Sequence, residues 1–392
     1  MPPALAAFDY QPRTRIVFGV DSVERVGELA AGLGARNVLL VTDAGIVSAG
    51  HAGRVRQLIE QQGINVTCFQ DVEENPGTRC IARCVEVAHR FGIDTFVALG
   101  GGSSMDTAKG CNFILTNGGH MKDYWGVGKA KQPMLPLIAI PTTGGTGSEC
   151  QSFALITDEA THQKMACGDP KAAARIAILD PALTLSQPRR VTACSGIDAL
   201  AHALETAVTK TRNPLSLAFS GAAFQLTMAG LPRVLEAPGD LDARSQMLWG
   251  AACGGTAIEN SMLGAAHSAA NPLTAHFGIT HGQAVGMMLP HVVRFNAADP
   301  AAANAYAQLA LAAGIGESSE EPARLAQRLA GRLEALLDLA GLPRSLAKCG
   351  VQPADIPRLA IEAASQWTAQ FNPRAVISSD FEKLYAAGLE TE

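Results

Sequence analysis

The stretch that decides the fold is TFVALGGGSSMDTAK, residues 95–109. A short apolar run, residues 95–99, is followed directly by three glycines at 100–102. Such a run is typical of a strand buried in a parallel sheet. Glycines let the backbone approach a phosphate closely, and the free N–H groups of a following helix can hold a pyrophosphate. The pattern is neither GxGxxG nor a P-loop, but it predicts a phosphate-binding turn, with Ser103 and Ser104 as caps of the next helix.

The same alternation of strand and helix extends toward the N-terminus. Apolar runs predict strands at 14–20, 37–42 and 65–69, and helical patterns follow from Asp21, at about 47–62 and up to about Phe91. This order predicts an open parallel sheet with helices on both faces. In such sheets, ligands bind beyond the carboxyl ends of the strands.

A second loop of small polar residues follows the strand predicted at 136–140. It reads PTTGGTGSE, residues 141–149, and supplies hydroxyl and backbone donors without bulk. Asp43 lies at the end of an early strand, where it can accept a hydrogen bond from an adenosine ribose or cap a helix. Both interpretations are open at this point. The last strand signal is at 175–179.

Beyond about residue 185, alanine and leucine recur at helical spacing, as in residues 325–333. We therefore predict an α/β nucleotide-binding domain with a parallel sheet at 1–185. An all-helical domain that carries the metal and the catalytic residues is predicted at 186–392.

Four side chains in the second half are candidate metal ligands. Asp198 and His202 are four apart, which places both on one face of a helix. His267 and His281 could complete the set, and one carboxylate with three imidazoles suits Fe(II), Zn(II) or Co(II). The intervening residues 268–280 contain Asn-Pro and Gly, so we expect His267 to end one helix and His281 to begin another.

Composition excludes several classes of protein. The chain has 392 residues, 47% of them hydrophobic and 17% charged, which indicates a well-buried globular protein of two domains. Its net charge is -5 without a basic block, so nucleic acid is not an expected partner. We expect no signal peptide and no membrane-spanning run. Nine scattered cysteines without a CxxC pair indicate reduced thiols and a cytoplasmic location.

The chain resembles the iron-containing (group III) alcohol dehydrogenase family over nearly its whole length. The matching segments are 100–109, 141–149, 196–205, 267–282 and 289–292. The resemblance implies a dehydroquinate synthase-like fold and an NAD-dependent, metal-dependent alcohol dehydrogenase or aldehyde reductase. Hydride would pass between an alcohol held at the ion and the nicotinamide ring. The resemblance also favours Fe(II), with Zn(II) as the alternative, and a homodimer.

Carried over by position, the family's metal ligands correspond to Asp198, His202, His267 and His281. The cofactor contacts it implies, together with Asp106 from the same motif, are Asp43, Gly101, Gly102, Ser103, Asp106, Thr142, Thr143, Thr146, Phe153, Lys164 and Leu183. In the enzymes that this chain resembles, an acidic residue at the position of Asp43 favours NAD over NADP.

The chain departs from the family at one place. Many members have a histidine four residues after the third ligand, which is proposed as a proton relay. Here that residue is Asn271, which cannot shuttle a proton near neutral pH. His276, or solvent through a ribose hydroxyl, could take over, so Asn271 and His276 are the catalytic candidates.

Other functions stay open from the sequence. A zinc-dependent polyol dehydrogenase of the glycerol type shares the fold and the ligand types. A maleylacetate reductase-like enzyme would not need the complete ligand set. A phosphate-eliminating cyclase of the dehydroquinate synthase type would need more basic residues, and a non-catalytic NAD-binding sensor would not need the metal ligands.

Overall fold

The computed structural model describes residues 7–159 and 163–391. The expectation that the chain has no signal peptide concerns the first residues, most of which lie outside the described part. The chain divides into two compact units. Among the described residues, those within 11–143 and 147–187 form the sheet unit, and those within 7–10, 144–146 and 188–391 form the helical unit. The loop 141–149 therefore contributes residues to both units.

The sheet unit is built on a six-stranded parallel sheet. The strands of this unit are β1 (Arg15–Phe18), β2 (Asn37–Val41), β3 (Asn65–Phe69), β4 (Thr95–Gly100), β5 (Gly126–Val127), β6 (Leu137–Pro141), β7 (Phe153–Thr157), β8 (Lys164–Gly168) and β9 (Ile176–Leu179). The main sheet has the order β1-β9-β6-β4-β2-β3. Every residue of β4 is buried, as expected for a strand covered on both faces. The predicted parallel sheet is confirmed.

Helices connect these strands. They are α1 (Val26–Gly32), α2 (Ala44–Ser48), α3 (His51–Glu60), α4 (Thr78–Arg90) and α5 (Gly102–Asn117). The single helix predicted at about 47–62 is wrong in detail, because α2 and α3 are separate. Gly50 between them has a φ of 83°, a left-handed conformation that interrupts the helix.

A second, smaller sheet was not predicted. It has the order β5-β8-β7, and β7 pairs antiparallel with β8. Its strands β5 (GV) and β8 (KMACG) have no apolar run of the kind that marks the main sheet, whereas β7 (FALIT) has four consecutive apolar residues that were not interpreted as a strand. Ala154 and Ile156 of β7 are fully buried, and Ile156 lies against Gly110 of α5. Packing on α5 thus stabilises a sheet that local sequence signals did not indicate.

The helical unit is mostly α-helical, as predicted. Its α-helices are α6 (Arg189–Val208), α7 (Pro214–Glu236), α8 (Leu241–Glu259), α9 (Ala265–Phe277), α10 (His281–Asn296), α11 (Pro300–Ala312), α12 (Pro322–Ala340), α13 (Ile356–Ser365) and α14 (Ser378–Glu390). They share one apolar core, which extends from Ala193 on α6 to Tyr385 on α14.

Helix α9 corrects one prediction. Pro272 lies inside the helix, so His267 is in its first turn and does not end a helix. The proline removes one backbone hydrogen bond, which costs about 3 kcal/mol or more in a helix interior. Burial offsets this loss, since Ala269, Ala270 and Leu273 are fully buried around it. The left-handed Gly278, with a φ of 63°, ends the helix.

Helix α7 is long and apolar enough, by length and composition alone, to cross a membrane, although the sequence analysis expected no such run. In the structure it packs inside the helical unit. The Ser220 and Thr206 hydroxyls are 2.7 Å apart, which links α7 to α6. A Cβ at Gly250 of α8 would meet Thr227 at 2.8 Å. Helix α7 therefore packs against both α6 and α8.

Candidate metal centre and dinucleotide-binding loops

Three helices of the helical unit bring the four predicted ligands together. Asp198 and His202 lie one turn apart on α6, His267 lies in the first turn of α9, and His281 begins α10. The Oδ1 atom of Asp198 is 3.4 Å from Nε2 of His267, 3.6 Å from Nε2 of His202 and 3.9 Å from Nε2 of His281. The Nε2 atoms of all three histidines thus lie within 4 Å of one oxygen of Asp198.

The grouping is tightest for Asp198, His267 and His281, whose ligand atoms all lie within 4.8 Å of one another. The ring of His202 stacks on that of His267, with 5.0 Å between centroids. Asp198, His202 and His267 are all about 95% buried. Asp198, His202 and His267 are therefore shielded from solvent.

A glycine permits the convergence. A Cβ at Gly282, the residue after His281, would overlap the carbonyl group of Cys194 and lie 3.3 Å from Cβ of Asp198. Only a residue without a side chain allows α10 to begin directly on the backbone of α6.

Glu205, one further turn along α6, orients His267. Its Oε2 atom is 2.5 Å from Nδ1 of His267, and its Oε1 atom accepts a 2.7 Å hydrogen bond from the backbone N–H of Ala266. A ring that donates from Nδ1 has its lone pair on Nε2, on the side of Asp198. This is the arrangement by which a second carboxylate prepares a histidine for a metal ion.

The electrostatics of the cluster favour a bound cation. Burial raises the pKa of Asp198, but the neighbouring His202, His267 and His281 outweigh it and hold that pKa well below its usual range. Burial lowers the pKa of His202. Burial also lowers the pKa of His267, yet Glu205 and Asp198 raise it to about 9 overall.

The residues fit a divalent ion. Among the described residues, Oδ1 of Asp198 and Nε2 of His267 are buried and have no hydrogen-bond partner. Buried polar atoms are usually paired, so converging atoms without partners indicate a missing ligand. One carboxylate oxygen and three imidazole nitrogens suit a borderline cation such as Fe(II) or Zn(II).

The two catalytic candidates have different positions on α9. Asn271 is one turn beyond His267 on the same face, and its Nδ2 donates a 3.0 Å hydrogen bond to Oε1 of Gln366. His276 lies nine residues beyond His267, which places it on the opposite face and about 13 Å along the helix. Its Nε2 is 2.6 Å from Oε2 of Glu362. The structure therefore does not bring His276 to the ligand cluster.

In the sheet unit, the glycine turn after β4 leads directly into α5. The helix begins at Gly102, and its N-cap is Gly101, which makes no side-chain capping bond. The expectation that Ser103 and Ser104 cap the helix is wrong, because both lie inside its first turn. Ser103 Oγ instead accepts a 3.2 Å hydrogen bond from the backbone N–H of Asn75. The first N–H groups of α5 are thus available to a ligand.

Asp43 is a helix cap and lies beside this turn. Its Oδ1 atom accepts hydrogen bonds from the N–H groups of Gly45 at 2.8 Å and Ile46 at 3.1 Å. Its Oδ2 atom would be 3.3 Å from a Cβ at Gly100. One oxygen caps α2 while the other faces the glycine turn, so the two interpretations of Asp43 are compatible.

The strand ends of β4 and β6 are joined. Thr142 N–H donates a 2.9 Å hydrogen bond to the carbonyl of Gly100. Thr143 lies against Gly101, where a Cβ would be 3.5 Å from its side chain. Thr146 belongs to the helical unit.

The remaining cofactor candidates have other surroundings. Lys164 Nζ donates a 2.9 Å hydrogen bond to Oδ1 of Asn75. Asp106 accepts from the Ser148 hydroxyl at 3.2 Å, and burial raises its pKa to about 6. Gly168 packs on the ring of Phe153. Leu183 is buried in an apolar cluster, so its side chain is not presented to a ligand.

Sequence reasoning missed two buried charged groups. Lys109 is fully buried, and its Nζ donates to the carbonyls of Ser148, Gln151 and Phe153 at 2.6–3.0 Å, which anchors this loop to α5. Glu205 is the last residue of the matching segment 196–205, and no role was predicted for it. It is seven residues after Asp198 and three after His202, a spacing that marks one helix face and could have identified it.

Comparison with known proteins agrees with this arrangement. The family model described as iron-containing alcohol dehydrogenase matches residues 12–181, and the model of the Fe-containing alcohol dehydrogenase family, C-terminal, matches residues 192–389. The chain is 34% identical to the NAD-dependent methanol dehydrogenase of Bacillus methanolicus, over 94% of this chain and 96% of that protein. It is 33% identical to the 1,3-propanediol dehydrogenase of Citrobacter freundii, over 94% and 95% of the two chains.

A solved structure, that of a 1,3-propanediol oxidoreductase, superposes with a TM-score of 0.94 at 30% identity and covers 98% of this chain and 100% of that one. The fold is that of the alcohol dehydrogenases that the family models describe as iron-containing. The chain belongs to the iron-containing alcohol dehydrogenase family, as the resemblance implied. It is an enzyme of the alcohol dehydrogenase or aldehyde reductase type, and the family uses NAD and a metal ion.

Proposed function

We propose that this protein is an NAD-specific, Fe(II)-dependent enzyme that interconverts a small primary alcohol and its aldehyde. The observation that carries the proposal is the convergence of Asp198, His202, His267 and His281 around buried atoms that lack hydrogen-bond partners. Asp198 would supply the oxygen ligand and the three histidines the nitrogen ligands. A bound divalent ion supplies Lewis acidity toward an alcohol or carbonyl oxygen.

Iron is favoured over zinc by the family, while the ligand types accept both metals. The protein's part is to hold the ligands in place before the ion binds. Gly282 allows α10 to approach α6, and Glu205 orients His267. Such preorganisation keeps the site from relaxing when the charge distribution changes during the reaction.

The cofactor is proposed to bind at the strand ends of the sheet unit. The uncapped start of α5 would hold the pyrophosphate through backbone N–H groups and the helix dipole. The second oxygen of Asp43 would accept from the adenosine ribose, and its charge would repel the 2′-phosphate of NADP. Gly101, Gly102, Ser103, Thr142 and Thr143 are the other contacts that this placement supports.

The proton's path does not include a histidine at position 271. Asn271 has no titratable proton, and its amide is already bonded to Gln366. His276 is paired with Glu362 on the other face of α9. We therefore assign the proton to solvent, reached through a ribose hydroxyl of the cofactor, and assign Asn271 a binding role.

The substrate is proposed to be small. The named relatives act on methanol and 1,3-propanediol, and a lactaldehyde reductase of Escherichia coli is 32% identical over 94% of this chain. A zinc-dependent polyol dehydrogenase is the alternative that the ligand set also accommodates. The complete set of four ligands argues against a maleylacetate reductase-like activity.

A homodimer in the cytoplasm remains our prediction. Strand β1 lies at the edge of the main sheet, and within the described residues it pairs with β9 alone. Ile16 and Phe18 on this strand are 37% and 48% exposed. Exposed apolar side chains on an edge strand favour contact with another chain. Light scattering on purified protein gives the mass that tests this.

One experiment tests the proposed function. Protein purified without chelators is analysed for iron and zinc, and the same sample is assayed with a panel of alcohols, polyols and aldehydes with NAD, NADP and their reduced forms. We expect one iron per chain and turnover of short primary alcohols with NAD. Zinc together with preferential glycerol turnover would support the alternative, and a metal-free sample with full activity would refute the metal-dependent mechanism.

A further inference from the structure

We infer that Glu205 is the positioning residue that sets the metal affinity of His267, and that it does so with the same carboxylate that begins helix α9. The inference depends on the proposed ligand set. Glu205 is 3% exposed and touches no proposed substrate or cofactor group, so its effect would pass through His267.

Two oxygens of one carboxylate bind two consecutive residues of α9. Oε1 accepts from the Ala266 backbone at 2.7 Å, and Oε2 is 2.5 Å from Nδ1 of His267. The first bond holds the helix start, and the second directs the ring. Because both bonds use one rigid group, the position of the Nε2 atom of His267 is coupled to the position of the first turn of α9.

The charge environment also assigns Glu205 to the metal site. In the described part of the chain, its one ion pair is with His267, and no lysine or arginine pairs with it. Asp198, a second buried carboxylate, is 3.4 Å from the other nitrogen of the same ring. Two buried carboxylates that share one imidazole are costly without a compensating cation. A divalent ion between Asp198 and His267 would supply that compensation.

Asn372 provides an internal control. Its Oδ1 accepts from the Ala265 backbone at 3.2 Å, so it also holds the start of α9, but it makes no bond to the His267 ring. It is paired with Asn296 through a 2.7 Å hydrogen bond. An alanine at position 372 therefore removes the bonds to Ala265 and Asn296 but leaves the His267 ring bonded to Glu205, whereas glutamine at position 205 disturbs both the helix start and the ring.

The Glu205→Gln substitution keeps the shape of the side chain and changes its hydrogen bonding. Ala266 and His267 bond to two different oxygens of Glu205, and glutamine has an oxygen at only one of these positions, so one of the two bonds is lost. If its oxygen keeps the Ala266 bond, its NH₂ group faces Nδ1 and the ring proton moves to Nε2, where a metal would bind. If the side-chain amide flips, its NH₂ group faces the Ala266 N–H. Either arrangement lowers the affinity of the site for a metal ion.

The test compares wild type, Glu205→Gln, Glu205→Asp, Asn372→Ala and His267→Ala as full-length chains. Bound metal is removed with a chelator, and the dissociation constants of Zn(II) and Co(II) are measured by chelator competition. The visible absorption of the Co(II) form and the thermal midpoint of the metal-free form are recorded. We expect Glu205→Gln to weaken metal binding about 10- to 100-fold and to alter the cobalt spectrum. Asn372→Ala should lower the thermal midpoint and change the metal affinity less than about threefold.

The outcomes separate the inference from the proposed function. Wild-type metal affinity in Glu205→Gln, with loss of binding in His267→Ala, would overturn the role of Glu205 and leave the ligand set intact. Equal binding by wild type and His267→Ala would refute the ligand set itself. If Glu205→Gln does not fold, the metal affinity of Glu205→Asp tests the inference in its place. Aspartate keeps the charge but is too short to reach both Ala266 and His267. Weakened binding by the aspartate variant supports the inference, and wild-type affinity overturns it.

Discussion

Replacing Gly282 with alanine should push helix α10, which carries His281, away from helix α6, which carries Asp198. A Cβ at position 282 would lie 2.7 Å from the carbonyl carbon of Cys194 and overlap its oxygen. The overlap with the oxygen is the more severe of the two, and relieving it requires the two backbones to separate by about 1 Å. The obstructing atoms belong to the main chain of Cys194, so a change of side-chain rotamer cannot relieve the overlap.

The displacement acts directly on a metal ligand. His281 precedes Gly282, and its Nε2 is 3.9 Å from Oδ1 of Asp198. Overpacking of this kind costs about 1–3 kcal/mol of stability. A misplacement of about 1 Å in a catalytic group costs about 100-fold in turnover. We therefore expect Gly282→Ala to bind metal weakly, to turn over about 100-fold more slowly and to unfold at a lower temperature.

Gly221→Ala is the matched control. Gly221 lies on helix α7 of the same unit, and no atom outside its local backbone lies within 4 Å of an added Cβ. Alanine there should gain up to about 1 kcal/mol of helix propensity and leave metal content and activity unchanged. Metal analysis, steady-state kinetics and thermal unfolding of both variants make the comparison. A Gly282→Ala protein with wild-type metal content, turnover and thermal midpoint would refute the close-approach argument.

Three further predictions concern the other residues of the two sites. His267→Ala should abolish metal retention and turnover while NAD binding stays measurable by fluorescence titration; full activity in the metal-free variant would contradict the ligand assignment. Asp43→Asn should keep the helix cap and shift the ratio of NAD to NADP efficiency toward NADP by about tenfold, or about 1.4 kcal/mol, and an unchanged ratio would count against the ribose contact. Burial raises the pKa of Glu149 from 4.5 to about 7, so the native state keeps a proton that the unfolded chain has released across that window. The free energy of unfolding should therefore fall by about 3 kcal/mol as the pH rises from 4.5 to 7, and Glu149→Gln should lack this fall in denaturant titrations at pH 5 and pH 8; the same difference between the two proteins at both pH values would exclude the effect.

Local patterns were sufficient for the main sheet of the fold. Each strand of the main sheet is a short apolar run between turn residues, and a strand buried on both faces needs no other signal. In the small sheet only β7 has such a run among the described strands; β5 and β8 lack it, and pairing within the sheet stabilises them. The same applies to Pro272, where local preference predicts a helix end and the packing of α9 overrides it.

The residues of the candidate metal site could be predicted from the sequence, but the contacts that hold those residues in place could not. The four-residue spacing of Asp198 and His202 required only a helix, whereas the role of Glu205 required α9 to be placed against α6. His276 shows the reverse case. Its place near the other histidines in sequence suggested a relay, but helix periodicity places it away from them, on the opposite face of α9.

The amino-acid sequence by itself predicted the strands and helices around the main sheet and the glycine turn after β4, because each depends on residues close along the chain. The four candidate ligands were predicted from the spacing of Asp198 and His202 together with the family resemblance. The tertiary structure alone decided which atoms meet. The approach of His281 to Asp198 depends on the absence of a side chain at Gly282 opposite Cys194, 88 residues earlier in the chain. The orientation of His267 depends on a carboxylate 62 residues away. Packing between distant segments sets these distances, and no local pattern encodes them.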